Sequence, residues 1–136
     1  MESFKYNREM NSTLLSTPDF YKTVIQLAPD PVIILDKDGY LLFVNKKAEK
    51  LSGYSAEELV GKIFTKIGVV AVTSLPAVIA NFSATVTGNT IRPFHMEIDK
   101  KDGGKATFEV TAEPLRLDNS ISGSIAILRD ISFRGE

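Results

Sequence analysis

The chain contains no cysteine and a single histidine, and it carries almost no excess of either charge. Without cysteine there are no disulfides, no thiolate nucleophiles, no thiolate metal ligands and no cysteinyl photoadducts. No H-E-x-x-H or C-x-x-C spacing occurs, and the lone His95 has no neighbouring nucleophile with which to build a Ser/His/Asp arrangement. Gly103-Gly104 sits in a turn with no following helix, so it does not form a phosphate loop. The longest apolar runs, residues 32–35 and 67–72, fall far short of the roughly 20 residues needed to span a bilayer. The opening MESFKYNREMNS has no apolar stretch of the kind a secretory signal requires, and a cytoplasmic location is expected. A net charge of −1 gives no electrostatic basis for binding nucleic acid or for direct membrane contact.

What is present is an ordinary globular composition, 43% hydrophobic and 24% charged over 136 residues, which fits one domain with a real core. Thr17, Pro18 and Asp19 read as the cap and first turn of a helix over 18–28, with an apolar stripe of Phe20, Val24 and Leu27. Pro29 and Pro31 end it. Residues 32–35 form a β-branched strand, DKDG at 36–39 a tight turn in which Gly39 takes positive φ, and 40–44 the returning strand. Asn45 caps a short helix stopped by Gly53, and Ser55 with Glu58 forms a capping box for another. A longer helix is expected over 75–87, capped by Thr73 or Ser74, with Leu75, Val78, Ile79, Phe82 and Val86 on its buried stripe. Three strands follow, 91–99, 106–117 and 121–132, separated by turns at 100–105 and 118–120. Strands divided by a helical block indicate an antiparallel α+β domain with helices on one face of the sheet.

Two stretches then resemble a known family. The first is PDPVIILDKDGYLLFVNKKAEKLSGYSAEELVGK at 29–62, with its D-x-D-G turn, its V-N strand ending and its A-x-x-L-x-G-Y-S-x-x-E-L-x-G block. The second is 99–132, which closes on Asp130-Ile131-Ser132, similar to the D-I-T ending of many PAS domains. The chain resembles a PAS domain, a sensor module of prokaryotic signalling proteins such as histidine kinases in two-component systems. The resemblance implies a PAS-like five-stranded antiparallel sheet with short helices packed on one face, an N-terminal flanking helix and a small internal cavity. It divides the chain into a flanking extension at 1–19, a PAS domain at 20–132, and at 133–136 the start of a linker, cut short here, to an effector outside this chain.

Strand alternation sorts the faces. Ile33 and Leu35 are expected to point inward with Leu41 and Phe43 beside them. Phe94, Met96 and Ile98 of the third strand and Phe108, Val110 and Ala112 of the fourth point the same way, which turns His95 outward. Family register adds Ser124, Ala126 and Leu128. With Ala48, Leu51, Ile79 and Phe82 from the helices, these residues either pack solid or line a pocket for a small apolar or amphipathic ligand. Asn45, Asn81 and Ser124 are the polar groups available to orient such a ligand. The positions at which flavin-binding relatives place amides look like Ile98, Phe108 and Leu128, and the long helix lacks a histidine for haem, so neither cofactor is expected.

The function so implied is relay rather than chemistry: a sensor of a small ligand or partner that signals to an effector. Asp130, Ile131 and Ser132 are the exit. Ile125, Ile127 and Ile131 form an outer apolar stripe to which Phe20, Val24 and Leu27, extended by Leu14 and Leu15, could dock within the chain or across a homodimer. The alternatives are a ligand-free dimerisation or protein-interaction module and, more remotely, an isomerase-type enzyme built on Asp36 and Tyr40 or on Asp99 and Asp102.

Overall fold

The computed structural model describes residues 15–132. Helix α1 spans Pro18–Leu27, followed by β1 (Val32–Asp36), β2 (Leu41–Val44), α2 (Lys46–Ser52) and α3 (Ala56–Leu59). A 3₁₀ turn at Val72–Ser74 leads into α4 (Leu75–Val86), and β3 (Phe94–Asp99), β4 (Lys105–Leu117) and β5 (Ser120–Asp130) complete the chain. The strands form one antiparallel sheet in the order β2-β1-β5-β4-β3. The first hairpin therefore occupies one side and the last three strands the other, joined through β1 and β5.

Local chemistry sets most boundaries. Thr17 accepts a hydrogen bond from the Phe20 amide at the start of α1, and Asn45 does the same from Ala48 at the start of α2. The expected Ser55–Glu58 capping box is present in full. The β4–β5 turn puts Asp118 and Asn119 at φ 52° and 69°, the left-handed geometry that suits a two-residue hairpin turn. Gly123 answers to a close approach that sequence does not advertise. A Cβ there would lie 2.1 Å from the Leu35 carbonyl oxygen, because β5 presses its backbone against β1.

Both edge strands of the sheet are partly covered, while β4 beyond Val110 has a strand on one side only. Beside β2, the Leu41 amide donates to Lys62 O, and the Gly61 and Phe64 amides donate to Leu41 O and Gly39 O. Beside β3, the Asp99 amide donates to Val69 O and the Ala71 amide to Glu97 O. Short irregular segments thus take up backbone groups that an open edge would leave for another strand.

Three sequence expectations fail for physical reasons. Phe43 does not share a face with Leu41. The register runs Ile34↔Phe43 then Leu35↔Leu41, so Leu42 is the extra residue of a β-bulge and alternation reverses across it; Val44 points inward instead. Ile79 is 45% exposed, because the buried side of α4 runs through Leu75, Val78, Phe82 and Thr85 and leaves Ile79 on the flank. Ser74 does not cap α4. Its hydroxyl accepts the Glu97 amide at 2.9 Å and ties the helix to β3.

Candidate functional site

The hydrophobic core is in two parts. Met96, Ile98, Ala106, Phe108, Val110 and Leu128 cluster on β3, β4 and β5. Leu41, Val44, Ala48, Leu59 and Phe64 cluster around β2, α2 and α3. Ile33, Val69 and Val78 touch both clusters. Between them lies a cavity of about 130 Å³. Of the residues expected to line a pocket, Ile33, Leu35, Ala48, Leu51, Phe94, Met96, Ile98, Phe108, Val110 and Leu128 do so. Phe43 and Ile79 do not, for the reasons given above. Phe82 stands behind the wall, its ring set edge-on to Phe64 with centroids 5.3 Å apart.

Sequence reasoning missed the part of the wall contributed by Phe64, Ile67, Val69 and Val70. These side chains come from a segment without helix or strand periodicity, so no face could be assigned to them. The only signal was the apolar run at 67–72, which sits too far from either hairpin to be placed by pattern.

The polar side chains near the cavity are committed elsewhere. Asn45 is wholly inaccessible and makes four side-chain hydrogen bonds. Its Oδ1 accepts from the Val32 and Ala48 amides at 2.9 and 3.0 Å. Its Nδ2 donates to the Ile25 and Asp30 carbonyls at 2.9 and 3.0 Å. Asn81 donates to Ala77 O within its own helix, and Ser124 is buried on the inner face beyond the cavity. Neither these two nor Asn45 reaches the lining. Its one hydroxyl side chain is Ser52, whose Oγ accepts the Tyr54 amide at 3.1 Å.

Acidic residues do not converge on the interior. Asp36 Oδ1 accepts the Asp38 and Tyr40 amides and shapes the hairpin turn. Asp36, Tyr40, Asp99 and Asp102 all lie off the cavity wall. His95 is exposed on the outer face opposite Glu109. Among the described residues no group of histidine, cysteine or acidic side chains is arranged to hold a metal ion. Ile98, Phe108 and Leu128 present hydrocarbon to the cavity.

The end of β5 is tied directly to the cavity wall. Phe108, 1% exposed, pairs with Asp130 in the β4–β5 register. One residue along, the Ile131 amide donates to Thr107 O, and Ser132 Oγ accepts the Thr107 amide, both at 2.9 Å. The Ser132 amide in turn donates to Asp130 Oδ1.

A second, surface cleft adjoins the first. Lys50, Gly53, Lys100, Lys101 and Asp102 line it, and Leu51 and Ser52 belong to both walls. Lys101 closes this side. Its amide donates to Ser52 O, its ammonium meets Glu58 at 2.5 Å and stands 5.7 Å from the Tyr54 ring centroid. The hydrogen bond from Lys101, and then that from the Ser55 amide, hold the Glu58 carboxyl below its ordinary pKa.

A PAS-domain family model matches residues 29–133. The chain belongs to the PAS domain family. No curated protein matches it. Solved structures share the fold at low identity. A PAS domain from Colwellia psychrerythraea superposes with a TM-score of 0.74 at 21% identity, covering 84% of this chain and 96% of that one. A domain of a sensory box sensor histidine kinase/response regulator from Geobacter sulfurreducens gives 0.68 at 22%, covering 92% and 98%. A PAS domain in complex with ethanol, from a LuxR-family transcriptional regulator of Burkholderia thailandensis, gives 0.64 at 16%, covering 82% and 97%. The outer stripe of this PAS domain is partly open: Ile127 is 46% exposed while Ile125 and Ile131 are half-buried. Helix α1 does not cover it. It packs on α2, has no buried residue, and leaves Val24 and Leu27 exposed and Phe20 half-buried, and Leu15 just before it is exposed too. Leu14 lies outside the described residues. Among those residues no helix is long and apolar enough to cross a membrane.

Proposed function

We propose that this PAS domain is a non-catalytic sensor whose cavity takes a small apolar or amphipathic molecule and whose β5 terminus passes the resulting shift to an effector such as a histidine kinase. The observation that carries this reading is the pairing of Phe108 with Asp130 and the clamp of Ser132 on Thr107. A wall residue of the cavity and the exit triplet share one stretch of hydrogen-bonded ladder. A ligand that moves Phe108 must therefore strain the Asp130–Ser132 segment or move with it, which biases a two-state element. The Geobacter relative sits in a sensor kinase and the Burkholderia relative holds ethanol, and both facts favour this reading by analogy.

The test is a titration with toluene and, separately, hexanol, followed by backbone amide spectra. Whichever probe moves the amides of Phe108 and Leu128 is expected to shift the Thr107, Ile131 and Ser132 amides at the same concentration. Exit amides that stay still at saturation would end the relay reading.

A second reading, a homodimerisation module, is favoured by the outer face. The register places Phe43, Ile34 and Ile125 in one row and Ile127 beside them, so the β2-β1-β5 half is apolar, whereas β4 offers Glu113 and Thr111. We propose a homodimer formed through this half and α1. Sedimentation of Ile127→Glu is expected to show the monomer where the parent chain shows the dimer.

A further inference from the structure

The chemistry of the cavity narrows its ligand. Twenty of its 21 lining residues have hydrocarbon or thioether side chains, and the exception, Ser52, accepts the Tyr54 amide and retains one O–H. No buried side-chain nitrogen or oxygen among the described residues lacks a hydrogen-bond partner. A polar ligand would surrender its hydration and find at most that one hydroxyl to replace it. A bound water needs two to four polar partners, and the wall supplies almost none, so water gains little by entering. Its size is close to that of apolar cavities of about 150 Å³ that stay empty of water and accept benzene or xenon. The wall also retains slack. Ile33, Leu35 and Ala126 face inward from the sheet yet are only half-buried, and on the helical side Val78 is likewise half-buried.

We propose that the site is selective for an uncharged molecule without hydrogen-bonding groups, of roughly six to eight carbon atoms: a single-ring aromatic or compact aliphatic hydrocarbon. This rests on the sensor reading above and narrows its apolar-or-amphipathic ligand to the strictly apolar class.

Three matched probes separate the possibilities: toluene, phenol and benzoate. Each is titrated into the full chain while methyl resonances of Ile33, Val78 and Leu128 report the cavity and the Ile131 and Ser132 amides report the exit. Toluene is expected to shift the methyls saturably. Phenol is expected to bind about 100-fold more weakly, the discrimination an apolar pocket achieves against an added hydroxyl. Benzoate should produce no shift. Phenol within tenfold of toluene, any saturable benzoate response, or silence toward toluene would overturn the proposal. Movement of the methyls by toluene alone with a still exit upholds the ligand class and ends the relay reading. An exit response to phenol or benzoate as strong as that to toluene ends the ligand class and leaves the sensor reading standing. Ala126→Leu should abolish the toluene response by filling the space. Val78→Phe, on the cavity side of α4, serves if the first variant does not fold. Undiminished toluene binding in a folded filling variant would place the ligand elsewhere and refute the assignment.

Discussion

Two neighbouring regions of this domain solve the problem of a buried interior in opposite ways. At the corner where α1, β1 and α2 meet, one amide side chain uses all its hydrogen-bonding capacity and excludes solvent completely. Some residues further into the fold, beneath α4, apolar side chains stop short of filling the space between two clusters. The corner is crowded, polar and uniquely specified. The cavity is slack, apolar and tolerant. A saturated amide accepts one geometry only, because each lost bond strands a buried group. A partly filled hydrocarbon space can be occupied in several ways at small cost.

The sharpest way to break this comparison is at the corner. Asn45→Asp replaces two donors with an acidic oxygen facing the Ile25 and Asp30 carbonyls. It is expected to cost more than about 3 kcal/mol, or to abolish folding, in urea titrations. Removing hydrocarbon from the closely packed side of the cavity comes next. Leu128→Ala should cost about 2–5 kcal/mol, whereas Ile79→Ala, on the exposed flank of α4, should cost less than about 1 kcal/mol by the same measurement. Equal losses at the two positions would mean that α4 seats more deeply than its geometry implies. Gly123→Ala probes the backbone contact between β5 and β1 and is expected to cost about 1–3 kcal/mol in thermal melts.

The smallest effect concerns pH. Because Glu58 has a lowered pKa in the folded chain, its contribution is complete above the ordinary glutamate value and disappears as pH falls through the folded one. Melting temperatures of Glu58→Gln and the parent should differ at neutral pH and converge as pH falls below the depressed folded value. Hydrogen exchange at the Lys101 amide should quicken in the variant, since one of the ties beside Ser52 has lost its charge and weakened.

Turns, caps and the strand sequence were legible because each rests on neighbours in the chain. Thr17, Asn45, Ser55 and Gly53 act within one or two helical turns, and the sequence states them directly. Inward positions on β3 and β4 were legible because alternation holds there without interruption over the cavity, and those on β5 followed from the family register. Legibility failed where a contact crosses the chain. The bulge at Leu42 depends on how β2 meets β1, and Gly123 matters only because Leu35 lies against it. Ser74 was drawn from its capping role by Glu97 of a distant strand. The 64–70 wall carries no period at all, so its place could come only from tertiary structure. Whether the interior packed solid was likewise invisible, since identical side chains can fill a space or fall about one small ring short of it.

The partly covered rims of the sheet have a consequence for how copies of this domain can meet. Strand-to-strand growth requires a free ladder on at least one side, and here residues 61–64 and 69–71 already occupy positions alongside β2 and β3. Copies can lie against one another like cards laid flat, whereas zipping edge to edge is left to β4 beyond Val110, which has a strand on one side only.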